Sequence, residues 1–221
     1  MRPLTEEESR LVFEKLSRFL GPNLQRLVAP GKSNDDGSDA ENADPKKLKK
    51  TGGKKIKKKK NKKAAPKEQT HVFRLHKDRI FYVSEQVMKA AVHIPRKNLV
   101  SLGTCIGKFT HSRKFRLSIT ALDLLARYAR YKVWLKPAGE QAFVYGNHIA
   151  KGHLKRVTDD MPVNAGVVVF SESAGSAGDN PIGFGVSAKS VVDCRTAGAE
   201  AIVVYRNADV GEYLREEADL L

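Results

Sequence analysis

Between Gly31 and Thr70 the chain carries 14 lysines against six acids, with Leu48 and Ile56 its only sizeable apolar residues. A stretch of this make-up buries too little surface to offset its chain entropy, and it is expected to be disordered. No other feature constrains the fold as much. Any core must be built from the 30 residues before the stretch and the 151 after it, with the lysines as an insertion. The run Lys54 to Lys63 has the density of a nuclear or nucleolar targeting signal and equally of an RNA-grasping arm. A solvated lysine run without a role has the same appearance. Attraction of RNA by such an arm is strongly salt dependent and blind to sequence.

The stretch supplies +8 of a formal charge of +15, which leaves +7 on the remainder. With 41% apolar residues that remainder can pack a core, and its basic balance points to a polyanion partner, most often nucleic acid. Only Cys105 and Cys194 occur, which excludes a disulfide framework and a cysteine-rich zinc module. No window holds 18 successive apolar residues, and the start of the chain lacks the order of a signal peptide. An intracellular protein without a membrane span is expected.

Local signals place the elements. Thr5-Glu-Glu-Glu8 fits a capping box, and Val12, Leu16, Phe19 and Leu20 follow at helical spacing until Gly21-Pro22. Val72–Leu75 and Arg79–Val83 flank His76-Lys-Asp78 as a hairpin. Ser84 caps a helix with Val87, Met88 and Ala91, ended by Pro95. Strands at Leu99–Cys105 and Lys114–Ile119 precede a helix from Thr120 to Ala129 with Leu122, Leu125 and Ala126 on one face. The first helix needs a sheet to cover, so the lysine stretch is an insertion within one α+β domain. From Tyr131 the texture changes to short apolar runs, Lys132–Leu135, Gly166–Phe170, Ile182–Val186 and Ala201–Tyr205, the pattern of a small barrel. A helix from Glu140 to Tyr145 leads into Gly146-Asn-His148. This second unit is large enough to fold alone, though only marginally.

Chemistry-bearing motifs are few. Gly103 and Gly107 precede Lys108, but three residues separate them where a phosphate cradle needs four, and Phe109 stands where a magnesium-binding hydroxyl belongs. Those glycines fit a strand bend or bulge better. Cys105 with His111, or Cys194 with His148, shows no spacing that brings a nucleophile to a base. Asp123, Asp159 and Asp160 lack metal-ligand spacing, and Gly183-Phe-Gly185 lacks a third glycine. Catalysis is not supported, and no cofactor or metal is called for. Trp134, among apolar neighbours, reads as core rather than as a base-stacking platform. Basic residues cluster at Lys151, His153, Lys155 and Arg156, and again at Lys189 and Arg195. Singly each could be a solvated surface group; together they read as a phosphate-binding face.

Long runs carry a resemblance. Met1–Glu8, Phe73-Arg-Leu-His76, Leu99–Cys105, Gly107-Lys-Phe-Thr110, Lys114-Phe-Arg-Leu117, Tyr131-Lys-Val-Trp134, Tyr145-Gly-Asn-His148, Gly183-Phe-Gly-Val186 and Asp209-Val-Gly-Glu-Tyr213 resemble the Nip-seven family of large ribosomal subunit assembly factors. The match covers about residues 1 to 30 and 71 to 217. It implies an N-terminal α/β sandwich domain at 1–130, with the lysine-rich insertion at 31–70, followed by a PUA-type β pseudobarrel at 131–217. It further implies a non-enzymatic factor of the nucleus and nucleolus, a monomer outside the particle. Its partners would be pre-ribosomal RNA, the pre-large-subunit particle and nucleolar assembly factors. RNA in PUA modules lies against the first helix, the glycine-bearing loop after it and the last strands. Carried onto this chain, that points to Tyr145, Gly146, Asn147, Lys151, Lys155 and Arg156 on one side and to Lys189 and Arg195 on the other. The alternative is a protein-interaction scaffold in the pre-ribosome with incidental RNA contact. An RNA-modifying enzyme is disfavoured, since the N-terminal domain holds no acid or nucleophile constellation.

Overall fold

The computed structural model describes residues 1–28, 70–95, 97–99, 101–172 and 180–220; the lysine-rich stretch expected to be disordered lies outside them, save Thr70. The first helix, α1 (Glu6–Leu20), starts as its sequence dictates, with the Thr5 hydroxyl accepting from the Glu8 amide and the Glu8 carboxylate accepting from the Thr5 amide. That carboxylate also accepts from Arg2 Nη1 and Nη2, at 2.8 and 2.6 Å, which ties the strand β1 (Arg2–Pro3) to the cap. A short helix α2 (Leu24–Val28) follows.

Five antiparallel strands form the first sheet in the order β1, β2 (His71–His76), β3 (Arg79–Ser84), β4 (Thr104–Phe109) and β5 (Phe115–Leu117). The predicted hairpin closes through Lys77 and Asp78, both at positive φ (48° and 61°) as a tight two-residue turn requires. Ser84 caps α3 (Glu85–Ala90) as expected, but Val87 and Val92 stay 47% and 73% exposed. The strand expected at Leu99–Cys105 begins instead at Thr104. Gly103 turns the chain at φ +78°, where a side chain would collide with the Tyr82 carbonyl and Val83. Further along, Ile80 pairs with Gly107 and Phe81 with Cys105, so Ile106 is the extra residue of a bulge.

After α4 (Leu122–Tyr128), the second sheet has six strands. They are β6 (Tyr131–Leu135), β7 (Ile149–Ala150), β8 (Leu154–Val157), β9 (Gly166–Ser171), β10 (Asn180–Ser187) and β11 (Ile202–Asp209), in the spatial order β7-β11-β10-β9-β6-β8. Among the described residues, only β6 and β9 pair in parallel. The sheet curls into a near-barrel around Val133, Leu135, Phe143, Val167, Val169, Val203 and Val204.

The helices α1 and α4 do not cover only the first sheet. One core joins Val12, Leu16 and Phe19 of α1 and Leu125 of α4 to Ile80 and Ile106 on one side and to Val168, Phe170 and Phe184 on the other. The helices are thus a middle layer between two sheets. Strand β9 explains the arrangement: Gly166-Val-Val-Val-Phe170 is buried on both faces, Val167 and Val169 inside the barrel and Val168 and Phe170 under the helices. Phe19 packs edge-on against Phe184 at 5.5 Å and lies over Gly166.

Candidate nucleic-acid interface

The helix α5 (Pro137–Val144) begins three residues earlier than its apolar pattern indicates, because Pro137 occupies the first turn, where its missing amide is harmless. It ends in the turn that holds Tyr145, Gly146 and Asn147. Tyr145 is 75% exposed, and Gly146 adopts φ +98°, a conformation suited to glycine. The turn is fixed from below. Arg206 on β11 donates from Nε to the Gly146 carbonyl at 3.1 Å, and its backbone amide donates to His148 Nδ1 at 3.2 Å.

That arginine belongs to a network that no local signal announces. The Asp209 carboxylate is fully buried and accepts from Arg206 Nη1 at 2.5 Å, from Arg215 Nη2 at 2.9 Å and from the Gly211 amide at 2.8 Å. Arg215 sits on α7 (Glu212–Arg215) and also donates to the Val144 carbonyl. Burial pushes the Glu212 carboxyl above its usual range, and the hydrogen bond from Arg206 at 2.8 Å pulls it back in part. The C-terminal end of α5, the exposed Tyr145 and the end of β11 are thereby held as one unit.

The basic residues singled out in the sequence fall into different roles. Lys151 donates through Nζ to the carbonyls of Arg195 and Ala197, at 2.9 and 2.5 Å, so its ammonium caps the end of α6 (Val191–Thr196). This joins the two clusters, with Arg195 exposed on α6 and Lys189 just before its capping residue Ser190. Ser190 also holds the Asp193 carboxyl below the usual range. Lys155 and Arg156 are successive residues of the edge strand β8, so they project to opposite faces. Lys155 pairs with Glu172, whose amide in turn donates to Glu140 on α5 at 2.9 Å. Arg156 lies over the Trp134 ring at 4.6 Å, and that ring stacks on Phe170 at 5.8 Å with Lys132 Nζ 5.2 Å from the Phe170 centroid. Trp134 is therefore half-buried between the core and a cation, rather than the interior residue expected.

Neither cysteine is set up as a nucleophile. Burial pushes both thiols up, Cys105 on β4, where its Sγ also donates to the Gly107 carbonyl, and Cys194 on the buried face of α6 (Val191–Thr196), which disfavours the thiolate. Among the described residues no group of three histidines, cysteines or acids is arranged to hold a metal ion, and no helix is long and apolar enough to cross a membrane.

Residues 131–218 match the UPF0113 PUA domain, and residues 1–36 and 45–119 match the NIP7/UPF0113 pre-PUA domain. The chain belongs to the NIP7 family. The pre-PUA match extends into the lysine-rich stretch, beyond the runs that carry the resemblance. Among NIP7 relatives, the 60S ribosome subunit biogenesis protein NIP7 homolog of Pongo abelii is 47% identical over 220 residues, covering 100% of this chain and 99% of that protein. The proteins of Schizosaccharomyces pombe and Saccharomyces cerevisiae are 46% and 44% identical with the same coverage. In fold, the chain resembles a crystal structure of a PUA domain protein from Aeropyrum pernix K1, with a TM-score of 0.51 at 12% identity over 99% of this chain and 90% of that one. In this NIP7-family chain the Tyr145–His148 and Asp209–Tyr213 runs meet through Arg206, which the sequence motifs alone do not reveal.

Proposed function

We propose that this chain is a non-enzymatic assembly factor of the large ribosomal subunit that contacts pre-rRNA through its PUA unit, residues 131–217, while residues 1–130 form the unit that carries it. The observation that carries the reading is the full-length relationship to proteins named 60S ribosome subunit biogenesis proteins. Action in the nucleus and nucleolus follows from that task, with the pre-large-subunit particle and its assembly factors as partners and a monomer outside the particle. The contact surface assigned to RNA comprises Tyr145, Gly146 and Asn147 on their Arg206-braced turn, Lys155 and Arg156 on β8, and Lys151, Lys189 and Arg195 around α6. The exposed Arg156, Arg195 and Tyr145 are its most available members, since Lys151 is committed to the end of α6.

Fluorescence anisotropy with pre-rRNA fragments tests the assignment. Tyr145→Ala with Arg156→Ala and Arg195→Ala should weaken binding by about tenfold and reduce the salt slope by about 1.4 for the two lost cations. Unchanged affinity and slope would remove this surface from the reading. The scaffold alternative has its own support in Val87, Val92 and Ile94, exposed beside α3 at 47%, 73% and 46%. If that alternative holds, particle association survives the triple substitution and is lost on Val87→Ser with Val92→Ser.

A further inference from the structure

The first sheet carries a second cationic surface, written in its strand register. His76 on β2 stands directly opposite Arg79 on β3, Arg79 opposite Lys108 on β4, and Lys108 opposite Arg116 on β5. Directly opposed residues share a face. The adjacent line fixes which face it is: Leu75 pairs with Ile80, Ile80 with Gly107 and Gly107 with Leu117, and these pack toward α1 and α4. The basic line therefore projects from the side of the sheet away from those helices. At roughly 4.8 Å per strand it spans about 14 Å.

The line floors a groove. His76 and Arg79 border an open cavity of about 1220 Å³ that Lys77 and Lys97 also line. Arg79, Lys108 and Arg116 border an adjoining one of about 340 Å³ that reaches Arg206 on the second sheet. Both share Arg79, Cys105 and Leu220, so they adjoin along a common wall between the β2–β3 turn and the PUA unit. The last turn stands at that wall, since Arg79 Nη1 donates to the Leu220 carbonyl at 3.1 Å. Among the described lining residues the acids are Glu212 and Glu216, both at the PUA end, and Glu212 is bound to Arg206 at 2.8 Å.

We infer that these adjoining cavities form a second RNA-binding surface, taking the sugar–phosphate backbone along the line His76, Arg79, Lys108 and Arg116. A repeated line of cations matches a ligand with a repeated negative charge. The line runs across the strands rather than along a sheet edge, so it offers no backbone ladder to an added peptide strand. Tyr213, 47% exposed at the wall, supplies a ring on which a base can stack. The inference rests on the reading that the chain binds RNA, and it places a contact outside residues 131–217.

The test is a salt titration of the full chain on a single-stranded pre-rRNA oligonucleotide. Lys108 and Arg116 are exposed, so Lys108→Ala with Arg116→Ala is compatible with folding. This pair should weaken binding by about tenfold and lower the slope of log affinity against log salt by about 1.4. The exposed pair Arg10→Ala with Lys89→Ala serves as a charge-matched control and should change neither. A groove pair indistinguishable from the control overturns the inference, and if the Arg156/Arg195 variants still lose affinity the proposed function stands. Retained RNA binding with lost binding of poly-glutamate would assign the groove to an acidic protein instead. Failure of the unsubstituted chain to bind the oligonucleotide would overturn both readings together.

Discussion

Asp209 holds Arg206 at 2.5 Å inside a pocket from which its carboxylate is wholly excluded from solvent. The same carboxylate receives Arg215 at 2.9 Å, and the two guanidiniums reach the Gly146 and Val144 carbonyls at the end of α5. Removing one member of a buried pair leaves the other desolvated and unmatched. Asp209→Ala is expected to cost about 3 kcal/mol in urea denaturation, with Asp209→Asn costing less because an acceptor remains. Because the network braces the turn, the same substitution should speed hydrogen exchange of the Gly146 and Asn147 amides. Unaltered exchange there would separate the network from the turn.

A second prediction concerns acid. The Arg2 guanidinium, helped by the Thr5 amide, holds the Glu8 carboxyl at about 2 against burial that pushes it up. A carboxyl lowered on folding contributes stability above its unfolded value near 4.5, and that contribution fades as pH falls toward about 2. Glu8→Gln should therefore flatten the loss of stability across this window and lower the melting temperature at neutral pH. A melting profile as steep below pH 4.5 as that of the unsubstituted chain would exclude Glu8 as its source.

The α1 cap was legible because all its participants lie within four residues, Thr5 to Glu8. The hairpin was legible for the same reason. The double burial of β9 had a signal too, since Gly166-Val-Val-Val-Phe170 lacks alternation, yet the expectation of a free-standing barrel left its outer face unassigned. Less could be read of the interface. Lys151 meets carbonyls 44 and 46 residues away, and Arg206 meets one 60 residues before it, separations at which no periodicity operates. Lys155 and Arg156 hid a strand, because two exposed cations between Leu154 and Val157 erase the apolar alternation that marks one.

Lys151 and Arg156 should therefore behave differently when replaced. Lys151→Met removes the donor at the end of α6, so it should cost about 1 kcal/mol and speed hydrogen exchange in Val191–Thr196. Arg156→Ala is expected to leave the fold within about 0.5–1 kcal/mol, the worth of an exposed cation over a ring, and, under the proposed function, to lower RNA affinity instead. Reversed outcomes, with Arg156→Ala unfolding α6 or Lys151→Met changing affinity alone, would contradict the division of labour drawn from these contacts.

The shared core predicts how the chain unfolds. A Cβ on Gly166 would fall 2.6 Å from the Phe19 ring, which Phe184 braces edge-on at 5.5 Å. The ring lies in the helical layer and the strand in the second sheet beneath it, so neither can yield without disturbing α1 or the barrel. Gly166→Ala is accordingly expected to cost about 1–3 kcal/mol by overpacking, and Phe19→Ala about 3–5 kcal/mol through the cavity it opens. Because Val168, Phe170 and Phe184 serve the same cluster as Ile80 and Ile106, the two sheets should melt together. The lone tryptophan, Trp134, reports the second sheet by fluorescence, while far-ultraviolet circular dichroism follows both. Coincident midpoints, shifted equally by each substitution, are the expected result. A Trp134 transition separated from the dichroism, and unmoved by Phe19→Ala, would show that the barrel is independent of the helices packed on it.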